Sequence, residues 1–236
     1  MTEPALFRWP TAARFGRVVP KTKFYEHASA STALRERFVT DVQRITWAYK
    51  LADETIHLRG DATVPEIQVF TIDAKGDDVG DSVLTAIDKA VLFPIIFEVH
   101  SGTGECARTR MTAAHKRLGG TTPRLSGYFS TGWQDADAAR VPLPPAIDLP
   151  SLYAALLASI LPIAARPGET VSAAIGRMEE ARRLEREITA LEQHLRTEPQ
   201  FNRKVEVRRR LRDRTAALTE LTDPVSPTTE EVPWTG

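Results

Sequence analysis

One short run near the middle of the chain has the residue types and spacing for phosphodiester chemistry. Asp73-Ala74-Lys75 sets a carboxylate and an ammonium at alternate positions, and on a strand that spacing puts both side chains on one face. With a second carboxylate alongside, such a pair can hold Mg²⁺ and activate a water next to a scissile phosphate. Asp53 is the candidate for that second carboxylate, with Glu54 and Asp61 as alternatives. No Pro-Asp precedes the run, and an ordinary solvated strand end carries the same residues.

A second group of residues suits phosphate binding without catalysis. Arg203, Lys204, Arg208, Arg209 and Arg212 cluster with Arg210 and Arg214 near the C-terminus, and clustered arginines make salt-sensitive contacts to a nucleic-acid backbone. Glu179, Glu180, Glu185, Glu187 and Glu192 lie on the preceding segment, so interhelical ion pairing accounts for the same arginines. Other candidates are weaker. Glu26-His27 could supply a general base, but adjacency in sequence does not bring the two side chains together in space. His57, His100, His115 and Cys106 lack paired-ligand spacing, so no metal site is expected from them. Asp88-Lys89 reads as an exposed ion pair, or else as a buried polar pair supporting a site.

The elements that must position these residues are legible around Glu66 to Phe97. Ile67, Val69 and Thr71 alternate with Gln68, Phe70 and Ile72, so a strand here is apolar on both faces and expected at the centre of a sheet. Val83, Leu84, Ile87 and Val91 then recur at helical spacing behind Asp81 or Ser82 as cap, ending before Pro94. Ile95 to Val99 forms the next strand, and Ser101-Gly102-Thr103-Gly104 turns it back into a hairpin with Glu105 to His115. Upstream, Ser31 or Thr32 caps a helix through Leu34, Phe38, Val42 and Ile45. Strands are expected at Ile45 to Leu51 and at Thr55 to Leu58, and an edge strand at Arg124 to Ser130. Residues 1–24 interleave Phe7, Trp9, Phe15 and Phe24 with Arg8, Arg14, Arg17, Lys21 and Lys23. They read as an irregular arm whose aromatics dock on the core, or as a nucleic-acid contact.

Four prolines between Val141 and Pro150 make a stiff connector, and a packing helix follows over 151–168. Composition then changes. In 169–222, Ala181, Leu184, Ile188, Leu191 and Leu195 step by three and four, and Phe201, Val205, Leu211, Leu218 and Leu221 recur in a similar way after an interruption at Thr197-Glu198-Pro199-Gln200. That is the seam of an antiparallel coiled-coil hairpin, and Leu184, Ile188, Leu191, Leu195, Phe201 and Leu211 are its expected partner-binding residues. The expected fold is therefore α/β (α+β), a mixed sheet flanked by helices over 25–140, with the helical hairpin appended and a disordered tail at 223–236.

Bulk properties exclude several classes. With 31 basic and 31 acidic residues the 236-residue chain has no net field to draw it onto nucleic acid or an anionic membrane. A single cysteine cannot form an intramolecular disulfide, which suits a reducing cytoplasm. Leu149 to Ala165 is too short, and broken by Pro162, to span a bilayer. Pro4, Pro10 and the want of a continuous apolar run predict no secretory signal.

Several pieces together resemble the bacterial and archaeal domain-of-unknown-function family 4391. They are Phe24-Tyr25-Glu26-His27; Ile45-Thr46-Trp47 with Lys50-Leu51-Ala52 and Thr55-Ile56; Glu66-Ile67-Gln68-Val69-Phe70; Ala86-Ile87-Asp88-Lys89-Ala90 with Pro94-Ile95-Ile96-Phe97; and Gln200-Phe201-Asn202-Arg203-Lys204-Val205-Glu206. Ala114-His115-Lys116 resembles a lysine common after the hairpin's second strand. The resemblance implies an α/β domain with a helical-hairpin extension and transfers no catalytic residues. It also implies a setting near helicases and DNA methyltransferases of restriction-like antiviral systems. On this basis the chain is expected to be a non-catalytic assembly subunit of a DNA-targeting complex. A helicase or methyltransferase subunit is its expected protein partner, DNA a further one, and no cofactor is needed. The alternatives are a nuclease of the PD-(D/E)XK type using Asp73, Lys75 and Mg²⁺, and a sequence-independent nucleic-acid binder using the arginine helix.

Overall fold

The structure is a computed structural model that describes residues 6–27, 31–118, 123–162, 166 and 168–223, the side chains of residues 25–27 excepted. The side chains of the Glu26-His27 pair and most of the expected tail, 224–236, lie outside what is described. The chain divides into two compact units, 1–163 and 164–236.

The first unit is a mixed sheet with helices and loops on both faces. In chain order it runs β1 (Arg14–Val18), α1 (Thr22–His27), α2 (Thr32–Asp41), β2 (Val42–Leu51), α3 (Asp53–Ile56), β3 (Ile67–Ala74), α4 (Asp81–Ala90), β4 (Ile95–Ser101), β5 (Arg108–Arg117), β6 (Arg124–Ser130), β7 (Gln134–Asp135) and α5 (Leu149–Ile160). Strands β1 to β6 are neighbours in that order, and β7 pairs with β5. All pairings are antiparallel except β3 with β4, which α4 joins as a crossover. As expected for a strand covered on two sides, Ile67, Gln68, Val69 and Phe70 are all buried.

One face of the sheet packs Phe70, Ile72, Phe97 and Val99 against Phe38 of α2, Phe24 of α1, and Val83, Leu84 and Ile87 of α4. Ser31 starts α2 by accepting the Leu34 N–H at 3.3 Å. Its last turn is closed by cations: Lys75 donates to the Val39 carbonyl at 2.6 Å, and Lys21 donates to those of Phe38 and Val42. Positive charge at a helix C-terminus satisfies orphan carbonyls and the dipole together. The other face is covered by the chain from Leu6 to Ala13 and by α5. There Trp9 bonds Glu98 of β4, and Tyr153 lies beside His115 of β5.

Four sequence expectations change. The helix expected through Val42 and Ile45 stops at Asp41, because both residues pair with β3 as part of β2. Thr55 to Leu58 is not a strand: Thr55 Oγ1 donates back to Lys50 O and accepts from Ala52 N, which closes the turn as α3. Part of the arm is not irregular, because Arg14–Val18 pairs with β2 as an edge strand and stacks Phe15 on Trp47. Asp88 is not on an exposed face. It is buried, and its partner is Lys116 rather than Lys89.

The second unit is a helical hairpin of α6 (Val171–Thr197) and α7 (Phe201–Thr222). Arg177 reaching the Leu221 carbonyl and Glu187 pairing with Arg214 show that the two helices run antiparallel.

Candidate functional site

Ligand sites in α/β sheets favour the carboxyl ends of parallel strands. Here β3 and β4 are the parallel pair, and Asp73 lies opposite His100 at that end. Glu98 lies two residues before His100, so the strand's alternation puts both on the face away from α4. His100 Nδ1 is 3.2 Å from Asp73 Oδ1, and its Nε2 is 3.7 Å from Glu98 Oε2. Asp73 Oδ2 accepts from Arg44 at 2.7 Å. Glu98 is 3% exposed and takes a hydrogen bond from Trp9 Nε1 at 2.7 Å and a forked pair from Arg140 at 2.7 and 3.2 Å. Arg140 also donates to the Phe7 carbonyl. The arm and the segment around residue 140 are thus tied to β4 by one buried carboxylate.

The electrostatics give these groups different roles. Burial pushes the Glu98 carboxyl up, but its donors and the His100 charge together bring it below the ordinary value. At 3.7 Å the approach of His100 is a charge contact, too long for a hydrogen bond, so Arg140 and Trp9 do the holding. Glu98 first, and Asp73 after it, raise the His100 imidazole above its ordinary value against the effect of burial. When protonated, the half-exposed His100 imidazole beside Arg44 can donate a proton or attract an anion. The open cleft there, about 470 Å³, is lined by Gln43, Arg44, Asp73, Ala74, His100, Gly102 and Thr103. Gly102 has φ +76°, and a Cβ there would collide with the Cys106 carbonyl, so the turn that closes the cleft requires glycine.

The raised His100 fixes a pH dependence. A group whose folded pKa exceeds its unfolded value, about 6.5 for histidine, stabilises the fold fully below that pH and loses the contribution as pH rises through the folded value. Urea midpoints measured between about pH 5 and 9 should fall on the alkaline side, with His100→Gln flattening the fall. An equal slope in the variant would contradict the assignment.

The residues expected to act as a nuclease are not gathered in one place. Asp73 is engaged by Arg44 and His100, while Lys75 caps α2. Asp53 follows Leu51, which pairs with Ile67 at the far end of β3, about 20 Å from Asp73 at ~3.3 Å per residue. Glu54 pairs with Lys50, and Asp61 caps its own loop. Among the described residues no group of three or more His, Cys, Asp or Glu side chains is arranged to hold a metal ion. The carboxylate that does approach the Asp73–His100 pair is Glu98, which sequence reasoning passed over. Its signal was Glu98 and His100 at alternate positions of an otherwise apolar strand.

A second polar cluster lies on the opposite face. Lys116 is buried with its Nζ 2.6 Å from Asp88 Oδ1, and it donates to the carbonyls of Asp88, Val91 and Phe93 at 2.6, 2.8 and 2.9 Å. Tyr128 donates to Asp88 Oδ2 at 2.8 Å. Asp88 Oδ1 meets Lys116 as a charge contact without hydrogen-bond alignment. This lysine closes the C-terminal turn of α4 from inside the core.

In the hairpin, the expected partner-binding leucines belong to the contact between the helices. Ala181, Leu184 and Val207 are buried, and Ile188, Leu191, Leu195 and Leu211 are half-buried. The α7 seam runs through Val207, Leu211, Leu218 and Leu221, so Phe201 and Val205 fall off it and are 73% and 49% exposed. Arg209 and Arg210 pair with Glu206 on their own helix at 3.3 Å, and Arg214 crosses to Glu187 at 3.1 Å. Arg203, Arg208 and Arg212 are exposed, whereas Lys204 is half-buried.

No helix in the described residues is long and apolar enough to cross a membrane. Comparisons with curated proteins and with solved structures found no match. Against known families, residues 7–218 match the one described as Domain of unknown function (DUF4391). That span covers the sheet, its flanking helices and nearly all of the hairpin, and the chain belongs to this family.

Proposed function

We propose that the chain is a non-catalytic assembly subunit that docks a protein partner through the outer face of α7, within a DNA-targeting defence complex. The observation that carries this reading is the exposure of Phe201 and Val205. Residues one helical turn apart share a face, and Arg208 and Arg212 continue the same stripe. An apolar pair at one end of a helix face and arginines at the other fit an apolar groove edged with acidic side chains. Val205 argues against nucleic acid as the principal ligand, since an aliphatic side chain offers no ring for base stacking. The partner is taken to be a helicase or DNA methyltransferase subunit, from the setting that the family resemblance implies.

Phe201→Asp with Val205→Asp should leave the hairpin folded, because exposed substitutions usually change stability by less than about 0.5 kcal/mol. Binding to the partner should weaken by about a hundredfold, as when two interface anchors are lost. Calorimetric titration with the proposed partner, a helicase or DNA methyltransferase subunit, reads this directly, and unchanged affinity would overturn the reading. The nucleic-acid alternative predicts instead that Arg208→Ala and Arg212→Ala abolish a DNA affinity that falls steeply with salt. Asp73 and Lys75 keep a nuclease reading in view only if Mg²⁺-dependent cleavage exists and is lost on their replacement.

A further inference from the structure

Beside α1 and the end of α4, on the face of the sheet that they cover, lies a cavity of about 640 Å³, within the range of small-molecule sites. Phe24 and Phe70 line it but are buried, at 3% and 2% exposed. Phe15 is covered by Trp47, with ring centroids 4.1 Å apart, and by the Arg17 guanidinium, 4.8 Å from its ring. It therefore has no free face to offer a flat ligand. The open part of the lining is aliphatic: Val18 and Leu92 are 62% and 60% exposed, Pro20 is exposed as well, and Val19 and Val91 are half-buried. Apolar side chains gathered and exposed around one cavity mark a binding surface more than scattered ones do.

Most polar groups of this lining are spent or enclosed. Lys50 is held by Glu66 at 2.9 Å and by Glu54 at 2.8 Å, and Gln68 Nε2 donates to Glu66 at 2.9 Å. Gln68 Oε1 and Trp47 Nε1 are enclosed, so neither reaches the open space. The carbonyls of Val91 and Phe93 are taken by Lys116 from within the core, at 2.8 and 2.9 Å. That leaves Arg17 and Lys23, both exposed and without an ion-pair partner among the described residues. They come from residues 15–24, a stretch without an acid, so two positive charges stand at one wall of an apolar cavity.

We propose that this cavity binds an anionic single-chain amphiphile, an alkyl chain ending in a carboxylate or a phosphate. The chain lies along Val18, Val91 and Leu92 and takes their apolar surface out of water. The head group meets Arg17 and Lys23, whose guanidinium and ammonium both form charge-assisted hydrogen bonds to such oxygens. A hydrocarbon needs no donor or acceptor from the walls, and these walls offer none that is free. A heterocycle would leave its own polar edge unpaired here, at a cost.

The test is calorimetric titration of the full chain with hexanoate, octanoate, decanoate and dodecanoate at one salt concentration, with octanol as the uncharged control and octyl phosphate as the other head group. Decanoate should bind at one site with a dissociation constant below about 1 mM. Affinity should rise about fourfold per methylene and level off once the cavity is full, and the tighter of octanoate and octyl phosphate identifies the head group. Arg17→Ala with Lys23→Ala lies at exposed positions and should bring octanoate down to the affinity of octanol, with octanol itself unchanged. Leu92→Asp, also exposed, should weaken both ligands by about tenfold. Three results would each overturn the assignment: no saturable binding of decanoate at about 1 mM; octanoate affinity unchanged in both variants; or octanol bound by the native chain as tightly as octanoate, the behaviour of a site for an apolar side chain of another protein.

Discussion

Lys116→Met is expected to destabilise the α/β unit by about 3–5 kcal/mol, the cost of removing one partner from a buried ion pair. Methionine retains the length and the apolar stem, so little packing is lost. What remains is the Asp88 carboxylate, stripped of its cation, and three carbonyls at the end of α4 without their donor. Burial pushes Asp88 up and Lys116 down, and each is the other's main opposing influence. The pair therefore stands only while both members are present. Urea unfolding followed by tryptophan emission reports on this unit, which contains Trp9, Trp47 and Trp133. Asp88→Asn should be costly too, and the double variant should cost less than the sum of the singles because the uncompensated charge is gone. A loss below about 1 kcal/mol for Lys116→Met would mean that the lysine is not satisfying those groups.

Glu98→Ala is expected to cost about 3 kcal/mol and to loosen the segment from Leu6 to Ala13. Trp9 Nε1 and the Arg140 guanidinium lose their shared acceptor, and Arg140 is also what holds the Phe7 carbonyl. Protease cleavage near Trp9, which is buried in the native chain, should quicken. The same carboxylate sets an acid limit. Its folded pKa lies below the ordinary value, so its contribution is present above about pH 4.3 and is lost as pH falls through the folded value. With His100 acting in the opposite sense on the alkaline side, stability should peak between the two. Glu98→Ala should shift the alkaline limb as well, since the main influence raising His100 has been removed. An unchanged alkaline limb would show that His100 answers to Asp73 alone.

Periodicity made the architecture readable and left the site obscure. The apolar runs of β3 and β4 and the helical spacing of α4 left little freedom, as did the seam of α6. The errors have physical causes. Thr55 and Ile56 favour strands, but one hydroxyl bonding back across the turn made that segment helical. Arg14 to Val18 looked like a charged arm because an edge strand carries solvent-facing arginines, and Gly16, at φ +67°, lies where its pairing shifts. Asp88 falls one turn after Leu84 and so within the apolar arc of α4. Its charge suggested exposure, and nothing local announced that Lys116, on another strand, would meet it. The Asp73–His100–Glu98 cluster required knowing that β3 and β4 are adjacent and in register, and Arg140 joins it from a loop. From sequence alone Phe201 and Val205 fit the seam, since either heptad phase suits an arginine-rich helix, and only the burial of Val207 decides the phase.

The proposed docking surface is the outer face of α7. Its most direct test is the affinity of a helicase or DNA methyltransferase subunit, the proposed partner, for the native chain and for the Phe201→Asp, Val205→Asp variant, at matched salt and with hairpin helicity confirmed by circular dichroism. Loss of about a hundredfold in affinity with helicity retained is the expected result. Equal affinity of the two chains would contradict it.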